Sequence, residues 1–212
     1  IVIAAVLGLV KPHAFMRLIR VNRVEGGIAV LTFVITLASA PRLYWGVLAG
    51  VVMGLSYFLH TRLHPRIIEV GLHPDGSLRD RHLWKLPPLA RQLYALRMDA
   101  ELDFAAASGF ERAITEHLSR HPNVQHVCLF AQPINRIDIT GVETFMQVRR
   151  QLQERNITLH ISGIKLPVEN ALRRAGELGE SPWLKMYRTD AEALQALRQL
   201  EPLPHDMAAA AI

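Results

Sequence analysis

Between residues 26 and 59 the apolar positions run on with almost no polar stripe, and the one formal charge is Arg42. As a single helix this stretch would be about 50 Å long, well beyond a hydrocarbon core of about 30 Å. Pro41, following Ser39 and Ala40, supplies a break. The pattern therefore predicts a hairpin of two short membrane helices, residues 26–40 and 43–59, turning at Pro41 and Arg42. A buried hairpin of a soluble all-α protein is the alternative, but such helices normally keep a polar stripe. In the second arm Gly46, Gly50 and Gly54 recur every four residues, a small-residue strip along which another helix can approach in lipid.

Beyond residue 66 the pattern changes to alternating strand and helix signals. Strands are predicted at 66–71, 93–98, 124–130, 157–162 and, as an edge, 185–187; residues 73–89 read as a polar, proline-bearing loop. Helical periodicity covers 104–121, 141–155, 167–175 and 191–200. About 130 residues with this order suit an α/β domain whose mostly parallel sheet, covered by helices, departs from parallel near its start. The expected organisation is a membrane segment at 1–66, an α/β domain at 67–201 and a disordered tail at 202–212. Residues 1–10 read as the last turns of a helix that begins upstream, making this the C-terminal end of a longer polypeptide.

Charge sharpens that division. Of 24 Lys and Arg against 19 Asp and Glu, seven cations and one acid lie in residues 1–66, leaving 17 and 18 in the remainder. The basic character (pI ≈ 9.8) thus belongs to the flanks of the hairpin, and the α/β part has no excess with which to hold nucleic acid. Lys11, Arg17, Arg20 and Arg23 precede the hairpin, and Arg62 and Arg66 follow it. By the positive-inside rule both ends, and with them the α/β domain, face the cytoplasm. Tyr44, Trp45 and Tyr57 sit near helix ends, as interfacial aromatics do. The stretch holding Arg17, Arg20 and Arg23 suits either a short amphipathic surface helix or a plain basic loop. Cys128, the single cysteine, lies within an apolar run and reads as a core residue.

Little in the chain points to catalysis. Thr140 and Glu143 have capping-box spacing at a strand-to-helix turn, and Asp138 is a second candidate cap. His117 and His121 stand four apart, a metal-capable spacing, but no glutamate follows His117 and no third ligand is evident, so both read as exposed helix residues. Gly163, Ile164 and Lys165 lack the glycine run of a phosphate loop. There is no nucleophile elbow and no dinucleotide fingerprint. No enzyme activity, cofactor or metal is expected.

A resemblance emerges from the order of the motifs. A strand, Asp138-Ile139-Thr140-Gly141, a helix, then Leu159-His160-Ile161-Ser162-Gly163-Ile164-Lys165-Leu166-Pro167-Val168 resemble the STAS domain of SulP anion transporters and bacterial anti-sigma factor antagonists. Leu96-Arg97-Met98-Asp99-Ala100-Glu101-Leu102-Asp103-Phe104-Ala105-Ala106-Ala107 is similar to the corresponding SulP stretch. The resemblance implies the end of an inverted-repeat transporter fold, part of its gate domain, with a cytoplasmic STAS domain that dimerises and regulates. It also implies a multi-pass secondary carrier of a small inorganic anion such as sulfate or bicarbonate, whose anion-binding residues all lie upstream. A regulatory protein would meet Asp138, Ile139, Thr140 and Gly141. The antagonists carry a phosphorylated serine directly after the Asp; Ile139 stands there instead, and Thr140 is read as a capping residue. Two other readings are a membrane-anchored STAS regulator binding an anti-sigma-like partner, and a membrane-tethered α/β enzyme.

Overall fold

The computed structural model describes residues 12–179 and 181–199; the helix end expected at 1–10 and the tail expected at 202–212 lie outside them. The chain divides into two compact units between Thr61 and Arg62.

In the first unit a short helix α1 (Pro12–Val21) precedes α2 (Arg23–Ala38), and α3 (Tyr44–Leu63) follows. α2 begins three residues before the uncharged run because the Asn22 side chain caps it, accepting the Val24 and Glu25 N–H groups. α3 extends four residues past its expected end and stops just before Pro65. At 20 residues, α3 is the one helix among the described residues long and apolar enough to cross a membrane. The 16-residue α2 is equally apolar but shorter. Both present apolar side chains outward, among them Leu31, Val34, Val47, Val51, Leu55 and Phe58.

Close approach of the two helices runs along part of the glycine strip. A Cβ on Gly46 would fall 2.0 Å from Thr36 Oγ1, and one on Gly50 would fall 2.7 Å from Thr32 Cγ2. Nothing lies within 4 Å of such an atom on Gly54. The Thr36 hydroxyl donates back to the Thr32 carbonyl at 2.7 Å, so it is paired within its own helix at the contact. Gly46→Val should therefore cost about 2 kcal/mol more than Gly54→Val, measured as a difference in thermal unfolding of the detergent-solubilised chain.

The second unit holds a six-stranded sheet. Its strands are β1 (Ile67–Leu72), β2 (Leu78–Asp80), β3 (Leu93–Met98), β4 (His126–Phe130), β5 (Thr158–Ser162) and β6 (Leu184–Tyr187). Their order is β2-β1-β3-β4-β5-β6. β1 pairs antiparallel with both β2 and β3, and β3 to β6 run parallel. The 73–89 segment, expected to be loop throughout, contributes β2. Asp75 closes the intervening turn by accepting the Ser77 N–H at 2.9 Å, and Gly76 takes the positive φ it needs.

Register separates two cores. Tyr94, Leu96, Val127, Leu129, Leu159 and Ile161 face α4 (Phe104–Arg120), α5 (Ile139–Glu154) and α6 (Leu166–Arg174). Ala95, Cys128 and Phe130 face the other way, toward Leu89, Ala90 and α7 (Asp190–Arg198). Between the helices and the turn after α6, Arg149 Nη1 reaches the Glu177 carboxylate at 2.9 Å and its carbonyl at 2.5 Å. Both side chains are mostly buried. Truncating one leaves the other charge stranded, so Arg149→Met should cost about 3 kcal/mol in urea unfolding.

Candidate functional site

The turn singled out in the sequence lies at the carboxyl edge of β4, where the parallel strands feed α4, α5 and α6. α5 starts at Ile139, two residues before the predicted helix, so Thr140 sits within its first turn rather than at its cap. The cap is Asp138: its Oδ1 accepts the Gly141 N–H at 2.8 Å. The expected pairing of Thr140 with Glu143 as a capping box is therefore corrected, because Asp138 already occupies the extended position from which a side chain can reach back to the helix.

Asp138 does a second thing that its local spacing did not signal. Its Oδ2 accepts the Phe104 N–H at 2.9 Å, tying the start of α4 to the start of α5. Asp103 caps α4 itself, accepting the Ala105 and Ala106 N–H groups at 3.1 and 3.0 Å. Leu102 forms an isolated parallel bridge with Ile137, donating to the Arg136 carbonyl and accepting from Asp138 N–H. Gly141 packs directly on that bridge, buried. Both Asp138 oxygens are engaged by backbone N–H groups, so the carboxylate acts as a clamp. Beside it Ile139 is 79% exposed, and Thr140 is exposed as well. The turn thus offers a rigid, partly apolar contact surface, which suits binding better than proton transfer.

Charges around the turn are paired within the α/β unit. Glu101 lies 3.3 Å from Arg136 and 3.6 Å from Arg62, and Arg66 lies 3.3 Å from Asp80 and 4.0 Å from Asp99. Arg62 and Arg66, expected among the membrane-flanking cations, thus make ion pairs with the α/β unit. Arg17 and Arg20 lie on α1 and Arg23 opens α2, so an amphipathic helix rather than a loop carries the first two. Gly46, Gly50 and Gly54 lie in α3 and take no part in the turn.

A buried polar cluster on the other face went unread in the sequence. His160, fully buried on β5, has Nδ1 3.1 Å from the Tyr187 hydroxyl and Nε2 3.2 Å from His126 Nδ1. Burial lowers the His160 pKa to about 4, with smaller contributions from His126 and Lys185. His126 is shifted the same way, chiefly by burial. Cys128, in register beside His160, has its thiol pushed up by burial and is unreactive. Alternation along 158–162 placed His160 on a face but could not show that Tyr187 would meet it.

His117 departs from its expected exposure: it stacks on Tyr94 at 3.6 Å and on His121 at 4.3 Å, and burial lowers its pKa to about 4. Among the described residues no group of three His, Cys, Asp or Glu side chains is placed to hold a metal ion. An open concavity of about 640 Å³ lies at the opposite edge of the sheet, lined by Arg91, Gln92, Asn123, Gln125, Arg155 and Asn156, none of them a residue the sequence singled out.

Residues 89–193 match the family model for the STAS domain. The chain is 30% identical over 205 residues to "probable sulfate transporter 4.2" of Arabidopsis thaliana, covering 90% of this chain and 30% of that protein. It is 27% identical over 201 residues to a "probable sulfate transporter" of Mycobacterium tuberculosis, covering 94% of this chain and 36% of that one. The chain carries a SulP-type STAS domain. Its fold is also that of murine solute carrier 26 family member A9, an anion transporter solved in the inward-facing state. That match has a TM-score of 0.73 at 13% identity and covers 91% of this chain and 31% of the murine one. The chain spans about a third of the length of these relatives. The 138–141 turn and the His126–His160–Tyr187 cluster both fall inside the matched STAS residues, whereas β1 and β2 precede them.

Proposed function

We propose that this chain is the C-terminal part of a secondary anion carrier, of which α2 and α3 form a membrane hairpin in the gate domain and the STAS domain is the cytoplasmic regulatory and dimerising part. The observation that carries the reading is the order of the two units. An apolar hairpin with outward-facing leucines and valines precedes a STAS domain, and the alignment with named sulfate transporters runs through both. In this reading the hairpin is scaffold, and the anion site is built from residues upstream. Sulfate is the favoured cargo, on the names of the relatives, with bicarbonate the alternative small anion.

The test is flux in proteoliposomes by the protein together with its upstream sequence. Uptake of labelled sulfate, competed by unlabelled sulfate and less well by bicarbonate, is the expected result. Folded protein that moves neither anion under any gradient would defeat it. A second reading, a STAS regulator held at the membrane by the hairpin, draws on the exposed Ile139 beside the Asp138 clamp. Under either reading Thr140 plays no capping part, so Thr140→Ala should change stability by less than about 0.5 kcal/mol in urea unfolding. A loss above about 1 kcal/mol would restore the capping role.

A further inference from the structure

The first residues of α4, α5 and α6 are all large and apolar, and all are exposed: Phe104 64%, Ile139 79% and Leu166 66%. A helix's first turn is ordinarily a place for polar or small residues, which cost nothing in water. Single exposed apolar side chains need no explanation, but three at equivalent positions along one edge make a surface. Their backbone is held firmly. Asp138 joins the Phe104 N–H to the α5 cap, and Lys165 Nζ donates to the Asn135 side chain, linking the α6 start to the loop after β4.

We propose that this edge rests on an anionic lipid surface. Two observations select that occupant. The first is the sign of the outward charge. Three carboxylates here turn inward: Asp103 and Asp138 accept backbone N–H groups, and Glu101 lies between Arg62 and Arg136. Of the exposed ones, Asp99 pairs with Arg66 and Arg97, and Glu143 stands one turn into α5. The cations point out, with the Arg136 side chain 69% exposed, that of Arg66 59%, and Lys165 exposed beside Leu166. Apolar side chains among outward cations are what an acidic headgroup layer accepts. The second is where the chain enters. Arg62 lies 3.6 Å from Glu101, and the Asp99 N–H donates to the Arg66 carbonyl at 2.9 Å. Leu63, the last residue of α3, follows Arg62 directly in the chain, so the residues that link α3 to the α/β unit in sequence are held at this edge. The inference rests on the membrane reading of α3 given above.

Cysteine labelling makes the test specific, because Cys128 is the sole native cysteine and is fully buried. Nitroxides are attached singly at Phe104→Cys, Ile139→Cys and Leu166→Cys, with Asn123→Cys at the opposite edge and Val51→Cys in α3 as references. The labelled chains are reconstituted in vesicles of phosphatidylcholine and phosphatidylglycerol, and collision rates with oxygen and with an aqueous nickel complex are compared. The expected oxygen-to-nickel ratio at the three edge positions is about threefold or more above that at Asn123→Cys, falling toward it in pure phosphatidylcholine. Ratios equal to that at Asn123→Cys while Val51→Cys reads as lipid-immersed would overturn the inference and leave the membrane reading intact. Edge labels shielded from both probes would mean that protein covers this surface, which also overturns it. An aqueous Val51→Cys would end both.

Discussion

Gly141→Ala is expected to unfold the α/β unit or to destabilise it by more than about 3 kcal/mol. An added Cβ would lie 2.0 Å from the Leu102 carbonyl oxygen and 2.9 Å from its carbon and from Ile137 Cγ1. Two of those atoms are backbone, and they cannot yield independently. The Leu102 carbonyl accepts the Asp138 N–H, and Leu102 pairs with Ile137 as an isolated bridge. Any shift that relieved the clash would lengthen these bonds and pull on the Asp138 contact to Phe104 N–H. Urea unfolding of the chain in detergent, followed by Trp183 fluorescence with Trp45 and Trp84 replaced by Phe in parent and variants alike, reads the effect, because the Trp183 carbonyl accepts the Leu159 N–H at the β5–β6 edge. Gly179→Ala is the matched control, since nothing lies within 4 Å of its added atom. If Gly141→Ala unfolded within about 1 kcal/mol of the parent, the Asp138 clamp would not be rigid.

Acidification should weaken the same unit by about 3 kcal/mol between pH 6.5 and 4. His160 has a pKa near 6.5 when unfolded and about 4 when folded, the shift being caused first by burial. Above pH 6.5 both states are neutral and the full stability is present. As pH falls, the unfolded chain binds the proton first, and stability is lost until the folded pKa is reached. His126, Lys185, Tyr187 and Cys128 are the titratable groups facing His160, and none is a carboxylate that could hold its imidazolium. His117, only partly buried on α4, shifts in the same direction and adds a smaller share. The measurement is the urea midpoint at pH 7.5, 6, 5 and 4.5. A flat profile across that range, or a His160 imidazole found protonated by NMR at pH 5.5, would contradict the cluster's neutral state.

Much of this was legible in the chain. The abrupt end of the uncharged run announced two units, and the alternation after residue 66 placed five of the six strands and all four of the α/β helices to within a few residues. β2 was missed because three residues, Leu78 to Asp80, are too short to show a period. The site was half legible. Asp138 was named, yet the capping role went first to Thr140, because S/T-x-x-E spacing is a strong local signature and an aspartate two residues earlier competes with it on equal terms. Which wins depends on where β4 delivers the chain, and that is set by its pairing with β3 and β5. The glycine strip shows the same limit: helical spacing put Gly46, Gly50 and Gly54 on one face, but the crossing of α2 and α3 leaves Gly54 without a neighbour.

Hydrophobic period and charge placement act over a few positions, so the linear order of residues was enough to set out an apolar hairpin followed by an α/β domain. The contacts that make the domain specific join residues far apart in the chain. Asp138 reaches Phe104, Gly141 meets the Leu102 carbonyl, and His160 meets both His126 and Tyr187. Those meetings follow from strand register and from how helices lie on the sheet, a geometry settled by packing the whole core together and invisible to any short window of the chain.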